Sequence, residues 1–254
     1  MKKIAFMLIS FYMGLMGANA QSNRYDVNAD GNVNITDVIE LVNYILGLNN
    51  GNPGDGGNET NATGEAIDLG LPSGTKWASC NVGATNPEEF GEYFAWGELE
   101  EKPICKETNY LYASGNGENE SGYYVSNRLY RNLGSNIGGT EYDVAHVRWG
   151  GNWRMPTATE ISELLNNCTS ERTTLNGVIG RKFTGPNGNS IFLPAAGCVN
   201  RYGKQNIETS GYYWSSTPHS SLSNSAIALY FVSKVERIHF SRPSGFSVRP
   251  VWKE

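Results

Sequence analysis

The chain has 254 residues, a formal net charge of −5 and 39% hydrophobic residues. These values are typical of an acidic globular protein, and the absence of a basic patch in the sequence argues against a nucleic-acid partner. Thirty glycines, fourteen tyrosines and six tryptophans favour strands and long loops over a helix bundle. The four cysteines permit two disulfides in three connectivities, and buried free thiols are the alternative.

Residues 1–20 have the three parts of a secretory signal. Lys2 and Lys3 form the positive end, residues 4–16 the apolar stretch, and Ala18-Asn19-Ala20 the small-residue cleavage site. A membrane helix is the alternative, but about 13 apolar-leaning residues are short for a span. We therefore predict an exported protein with no membrane span.

Residues 26–37 follow the spacing of a calcium-binding loop. Oxygen-bearing side chains occupy loop positions 1, 3, 5 and 12, glycine at position 6 permits the sharp turn, and the carbonyl at position 7 adds an oxygen. An Asp/Asn/Gly-rich turn is the alternative, but five matching positions in front of a helix favour calcium. The predicted calcium ligands are Asp26, Asn28, Asp30, Asn32 (through its carbonyl) and Asp37.

One helix is predicted to leave this loop, because apolar residues recur at helical spacing from Ile35 to Leu46. Only residues 21–25 precede the loop, too few for an entering helix. A calcium loop with only an exiting helix resembles the dockerin repeat, which binds cohesin receptors. The resemblance implies a cohesin-like partner and places Ile35 and Thr36 where dockerins usually contact it. Dockerins normally carry two repeats, and this chain shows no second copy.

The composition divides the chain into four segments. Residues 49–64 contain no large apolar residue and are predicted to be a flexible linker. The predicted organisation is a signal peptide (1–20), a dockerin-like calcium module (21–48), the linker (49–64) and a large domain (65–254), which is long enough for its own core.

The large domain is predicted to contain few helices and many strands. Two short strands are predicted within 67–78, an aromatic strand over 91–97, and a short helix over 143–147. A second helix over 156–168 begins with the capping box formed by Thr157 and Glu160. Further strands are predicted over 180–184, 190–193, 211–215, 226–232, 235–240 and 246–251. Apolar and polar residues alternate after residue 226, which predicts one buried and one solvated sheet face.

Several ordered motifs connect the large domain with a known family. They are Asp68-Leu-Gly-Leu-Pro-Ser-Gly-Thr-Lys-Trp-Ala, Tyr93-Phe-Ala-Trp-Gly-Glu98, Trp149-Gly-Gly-Asn-Trp-Arg-Met-Pro-Thr157, Leu193-Pro-Ala-Ala-Gly197 and Ser247-Val-Arg-Pro-Val251. Nearly all of residues 65–252 resemble the Fibrobacter succinogenes major paralogous domain of Bacteroides secreted proteins. The resemblance implies an α+β, C-type-lectin-like domain with small twisted sheets, few helices and long loops. With the helical calcium module before it, the chain is expected on the surface of a bacterium or outside the cell.

No catalytic signature of a known enzyme class is present in the sequence. His146 is interpreted as structural, and the acidic residues Glu98, Glu100, Glu101 and Glu107 as a solvated face. Two unrecognised carboxylates remain an alternative, since any two acids of the chain could meet in space.

The last third of the chain is rich in tyrosine and arginine, which contribute contact area to binding surfaces. An ordinary solvated β face is the alternative. The resemblance favours recognition, because such domains often carry a variable stretch framed by segments like Trp214-Ser-Ser216 and Ser247–Val251. Trp214 and Arg249 in these frames are predicted to be structural. The predicted ligand-binding residues are Tyr230, Lys234, Glu236, Arg237, His239 and Ser241.

Three functions follow from these features. The first is a secreted or cell-surface, non-enzymatic binding or adhesion protein with a calcium-binding module and a protein or glycan ligand. The second is an accessory carbohydrate-binding subunit of a cohesin–dockerin assembly that degrades polysaccharide. The third is a glycoside hydrolase with an unrecognised carboxylate site.

Overall fold

The computed structural model describes residues 64–114 and 129–254. The predicted signal peptide, the calcium module and the linker up to residue 63 lie outside the described residues.

The first half of the large domain contains short strands and two α-helices. Its elements are β1 (Ala66–Ile67), β2 (Lys76–Ala78), a 3-10 turn (Glu107–Asn109), β3 (Ala113–Ser114), β4 (Leu129–Tyr130), α1 (Val144–Trp149), β5 (Trp153–Arg154) and α2 (Ala158–Asn167). The Asp143 carboxylate caps α1 by accepting two backbone N–H bonds. Thr157 and Glu160 form the predicted capping box of α2. Both predicted helices are confirmed.

From residue 169 onwards the chain consists mainly of antiparallel strands. These are β6 (Thr169–Leu175), β7 (Val178–Thr184), β8 (Ser190–Pro194), β9 (Cys198–Asn200), β10 (Gly203–Gln205), β11 (Gly211–Pro218), β12 (Ser225–Phe231), β13 (Val235–Ser241) and β14 (Val251–Trp252). The predicted strands near residues 180, 190, 211, 226 and 235 correspond to β7, β8, β11, β12 and β13. The predicted strands over 91–97 and 246–251 shrink to isolated bridges at Phe94, Phe246 and Ser247 and to β14.

The strands form several small sheets, in the orders β1–β2–β14–β5, β6–β7–β8 and β11–β12–β13, with β3–β4 and β9–β10 as two-stranded pairs. In the four-stranded sheet, β14 pairs with both β2 and β5. The last strand of the chain therefore lies beside the first strands of the domain.

Two buried apolar clusters lie on opposite sides of the β11–β13 sheet. One contains Trp214, Phe246 and Ala228, and the other contains Phe183 and Leu229. Since Ala228 and Leu229 are neighbours in β12, both faces of this strand are covered. The predicted alternation of one buried and one solvated face is therefore wrong for β12, because a central strand packs on both sides.

The predicted α+β, C-type-lectin-like class is wrong for the described residues. Strands take up 37% of them and helices only 11%, so this part of the chain is mainly β, in small antiparallel sheets. Among the described residues, α-helix is confined to the two short segments 144–149 and 158–167, whereas hairpins continue from β6 to β13. The expected N-terminal helical module lies outside the described residues. Within residues 64–114 and 129–254, no helix has both the length and the apolar character that a membrane crossing requires.

All four cysteines have free thiols: Cys80, Cys105 and Cys198 are buried, and Cys168 is half-buried. The structure therefore favours the free-thiol alternative over disulfides. Burial raises the pKa of Cys105, Cys168 and Cys198 to about 11, so these thiols stay protonated and weakly nucleophilic at neutral pH.

Candidate functional site

The register of β12 and β13 divides the predicted ligand residues between two sheet faces. Tyr230 pairs with Glu236. Residues directly opposite each other share a face, and successive residues of a strand alternate. Tyr230 and Glu236 therefore lie on one face, whereas Arg237, His239 and Ser241 lie on the other. The structure does not bring the predicted residues together on one surface.

The first of these surfaces, the aromatic face, consists of Tyr212, Tyr230, Ile238 and Phe240, with exposed Glu236 at its rim. The Tyr212 ring centroid lies 4.9 Å from that of Tyr230 and 5.3 Å from that of Phe240. Burial raises the pKa of Tyr212. Ile238 is 38% exposed and adds apolar area to this surface.

Deeper rings hold the aromatic face in place. The Tyr212 ring centroid is 4.9 Å from that of Phe246, which in turn stacks 4.3 Å from the fully buried Trp214. Such packing fixes the tyrosines in one orientation, so they can contact a ligand with little loss of conformational entropy.

The second surface, the helix face, is occupied by contacts within the domain. Arg237 Nη1 donates to the Ala158 carbonyl at 3.2 Å and to Ser162 Oγ at 2.5 Å, which joins β13 to α2. The ring centroids of His239 and His219 lie 4.6 Å apart. Arg237 and His239 are therefore already engaged with neighbouring elements.

The remaining predicted residues lie at the two ends of β13. Ser241 Oγ donates to Glu107 Oε1 at 3.1 Å, so Ser241 also contacts a neighbouring segment. Lys234 is exposed in the turn between β12 and β13. Of the six predicted residues, Tyr230 and Glu236 belong to the aromatic face.

The two framing residues have the structural positions that the sequence predicts. Trp214 is fully buried, and its Nε1 donates to the Phe94 carbonyl at 2.8 Å. Arg249 is also fully buried and donates to Asn81 Oδ1 and to the carbonyls of Ala78, Ser79 and Phe192. Burial lowers the pKa of Arg249 to about 10.

The acidic run is less solvated than predicted. Glu98 is only 2% exposed, forms an ion pair with Lys102, and accepts the Leu111 N–H at 2.7 Å. The interpretation of Glu98 as part of a solvated face is therefore wrong. Glu107 accepts hydrogen bonds from Tyr130 and Ser241, so it too is engaged by neighbouring side chains.

The predicted calcium site cannot be compared with the structure. The five calcium ligands predicted from the loop over 26–37 lie outside the described residues. In the two described ranges, no three His, Cys, Asp or Glu side chains are grouped to hold an ion. His146 Nδ1 lies 3.3 Å from the Trp153 carbonyl, a contact that fits the structural role predicted for it.

An open cleft of about 480 Å³ lies against the β6–β8 sheet. Its lining includes Ile67, Thr173, Lys182, Ser190 and Phe192. Neither the aromatic face nor the helix face contributes to this lining, so the cleft is a separate feature.

Sequence reasoning missed two arrangements. The first is Phe240, which alternation along β13 places on the same face as Tyr230. The cross-strand pair Arg172 and Arg181 was missed because β6 is polar, with the sequence Thr-Ser-Glu-Arg-Thr-Thr-Leu, and gives no strand signal. Recognising that these two arginines face each other requires the register between β6 and β7, which the sequence does not supply.

Two family matches cover parts of the chain, and each is shorter than half of it. Residues 13–69 match the Dockerin type I domain, a range that encloses the predicted calcium loop. Residues 169–251 match the Domain of unknown function DUF8237, which runs from the start of β6 to the start of β14. This second match does not confirm the resemblance to the Fibrobacter paralogous domain. No curated protein and no solved structure matches the chain. Residues 13–69 are therefore similar to a dockerin type I domain, and residues 169–251 of the mainly β domain are similar to DUF8237.

Proposed function

We propose that this chain is an exported, non-enzymatic binding protein that docks to a cohesin through its dockerin domain and binds a ligand with its large domain. The observation that carries the proposal is the dockerin match over residues 13–69, which contains the calcium-ligand spacing at 26–37. The dockerin match supports a calcium-binding module that docks to a cohesin in a cellulosome-like assembly. Dockerin proteins are typically extracellular or on the cell surface.

The residues that would hold calcium are Asp26, Asn28, Asp30, Asn32 and Asp37. Carboxylate, amide and carbonyl oxygens are the ligands that Ca²⁺ prefers, so the donor set fits the ion. Bound calcium would fix the loop and thereby orient the predicted helix from Ile35 to Leu46. Ile35 and Thr36, at the start of that helix, are the proposed cohesin contacts.

The large domain is proposed to use its aromatic face for ligand recognition. Tyr212, Tyr230 and Phe240 offer anchored rings, and Glu236 offers a hydrogen-bond acceptor at the rim. Such rings stack on the C–H faces of sugars, so the face suits a glycan and favours the role of an accessory carbohydrate-binding subunit. Of the acids considered as catalytic candidates, Glu98 is paired with Lys102 and Glu107 accepts a hydrogen bond from Tyr130, so both carboxylates already have partners.

The docking role is tested by capture on immobilised cohesins with and without calcium. We expect the full chain to bind only with calcium, and Asp26→Ala/Asp37→Ala to lose binding. Ile35→Asp should lose cohesin while retaining calcium. Capture that persists in excess chelator, or that survives Ile35→Asp unchanged, contradicts the docking role.

The recognition role is tested on a glycan array with the full chain and two variants. Tyr230→Ala should lose most of the bound glycan signal, while Arg237→Ala on the helix face should keep it. Reducing-sugar release is then measured on every glycan that binds. Release of sugar ends would contradict the non-enzymatic role and support the glycoside hydrolase instead.

A further inference from the structure

Two arginines face each other on adjacent strands without an acidic partner. Arg172 of β6 and Arg181 of β7 are directly opposite in the register, and like charges in that position destabilise a sheet. Arg181 is only 8% exposed, and its Nε has no hydrogen-bond acceptor. Among the described residues, no carboxylate lies within ion-pair distance of either guanidinium.

The contacts of this pair are all with neutral oxygens. Arg181 donates to Ser170 Oγ at 3.1 Å and to the Ser233 carbonyl at 2.5 Å. Arg172 is exposed and donates to the carbonyls of Val232, Thr209 and Glu208 at 3.2–3.4 Å. These last bonds are long, so an incoming acceptor displaces them at small cost.

Burial alone does not single out Arg181, because Arg249 is fully buried and also lacks an acidic partner. The difference lies in hydrogen bonding: the Nε and both terminal nitrogens of Arg249 donate to oxygens, whereas Arg181 leaves its Nε unbonded. Arg181 also faces a second cation. Burial and the charge of Arg172 both lower the pKa of Arg181.

Buried charges in proteins are normally paired, and a buried polar group without a protein partner calls for an explanation, of which a bound ion is one. A guanidinium pair matches the geometry of an oxyanion, which accepts several N–H bonds and cancels the repulsion between the cations. Lys234, which is exposed, directly follows Ser233, whose carbonyl accepts from Arg181, and so adds a third positive charge one residue along the chain from this contact.

We propose that Arg172 and Arg181, with Lys234 at the rim, bind an oxyanion: a sulfate, phosphate or carboxylate group, either free or carried on a glycan. The site belongs to the region similar to DUF8237. It is distinct from the aromatic face and does not rest on the proposed docking or glycan functions.

The test measures sulfate binding by the full chain with calorimetry, in sodium sulfate against sodium chloride at equal ionic strength. Arg172→Gln should weaken sulfate at least tenfold, and Lys234→Gln should weaken it less. Lys182→Gln is the matched control, because Lys182 neighbours Arg181 in β7 but lies on the opposite face and lines the cleft; it should bind sulfate like the parent. Because Arg172 is exposed, we expect Arg172→Gln to fold, so it tests sulfate binding at this site even if Arg181→Gln does not fold.

Thermal unfolding gives an independent readout. Sulfate stabilises many proteins by exclusion from their surfaces, so the relevant quantity is the difference between variants. The parent and Lys182→Gln should gain more in Tm from sulfate than Arg172→Gln does. Equal gains in all three, or no saturable sulfate heat in the parent, would overturn the proposal.

The source of the anion is resolved by three further probes: inorganic phosphate, a sulfated oligosaccharide and its unsulfated counterpart. An oligosaccharide that binds at least tenfold more tightly than inorganic sulfate, and loses this on Arg172→Gln, assigns the anion to a glycan. Equal affinity of the free ion and the sulfated glycan assigns the site to a free anion. If the unsulfated oligosaccharide also binds, and Arg172→Gln weakens it as much as it weakens the sulfated one, the site does not recognise an anion.

Discussion

Arg249 is the side chain on which the largest stability effect is expected. Its guanidinium joins the chain near Ala78 and Asn81 to the Phe192 carbonyl of β8. Arg249→Met keeps much of the volume but leaves these buried acceptors without a donor. Since hydrogen bonds to charged groups contribute about 1.5–3 kcal/mol each, we expect a loss of about 3 kcal/mol or more in the free energy of unfolding.

Urea unfolding checks this expectation. All six tryptophans lie between residues 77 and 252, so tryptophan fluorescence follows the large domain. Lys253→Met is the control, because Lys253 is exposed and its loss should change stability by no more than about 0.5 kcal/mol. A similar loss in the two variants would contradict the structural role of Arg249.

Glu160 links the N-terminus of α2 to β5 and is expected to make stability depend on pH. Burial raises its pKa, but hydrogen bonds from Arg154 and Thr157 and the charge of Arg154 outweigh this and lower the pKa to about 2. The folded pKa is thus below the ordinary value of 4.5. The carboxylate therefore stabilises the fold above pH 4.5, and this contribution is lost as the pH falls towards 2.

The test compares Glu160→Gln with the parent by urea unfolding at several pH values. At pH 7 we expect a loss of about 3 kcal/mol, because the pKa of Glu160 falls from 4.5 to about 2 and each pH unit corresponds to about 1.4 kcal/mol. The difference between the two proteins should shrink between pH 4.5 and pH 2. Glu141→Gln, at an exposed residue, should differ little from the parent throughout. A pH-independent difference for Glu160→Gln would mean that lost packing, not ionisation, is responsible.

The contact between β13 and α2 distinguishes the two faces of the hairpin. Arg237→Ala should cost about 1 kcal/mol, because it removes the hydrogen bonds to Ala158 and Ser162. Glu236→Ala, one residue earlier on the aromatic face, should stay within about 0.5 kcal/mol. Thermal unfolding of both variants provides the measurement. If Glu236→Ala proves the more destabilising, the assignment of these side chains to separate faces is wrong.

The elements that the sequence predicts well are those set by local chemistry. The helix α2 is marked by its capping box and by apolar residues on one face, all within twelve residues of Thr157. The strand β6 has no such signal, because it is held by pairing with β7 rather than by its own composition. The burial of β12 on both faces depends on which sheet position the strand takes, and this is a tertiary property.

At the scale of the whole molecule, the sequence predicts the parts better than their architecture. The dockerin-like loop is a contiguous motif whose spacing is itself the signal, and the dockerin match supports it. The family-like motifs of the large domain predict an α+β class, which the strand content of the described residues contradicts. The predicted ligand residues lie on β12, on β13 and in the turn between them, and the pairing of the two strands places Tyr230 and Glu236 on the face opposite to Arg237 and His239. Contacts between distant segments, such as Arg181 with Ser233, have no local sequence signal.

The last prediction concerns calcium binding by the full chain, on which the calcium dependence of the proposed docking rests. Asp37 is shorter than the glutamate common at the last loop position, and the sequence shows a single loop, so we expect weak affinity, on the order of 10⁻⁵–10⁻³ M. Calorimetry should show one bound calcium, and this binding should be abolished in Asp26→Ala/Asp37→Ala.

Asp55→Ala is the matched control, because Asp55 lies in a Gly-rich segment without a predicted helix behind it and should not contribute a ligand. If the parent chain shows no heat of calcium binding at millimolar calcium, the predicted calcium site is wrong, and calcium-dependent docking loses its basis. A loss of calcium on Asp55→Ala would instead show that the site extends beyond the loop at 26–37.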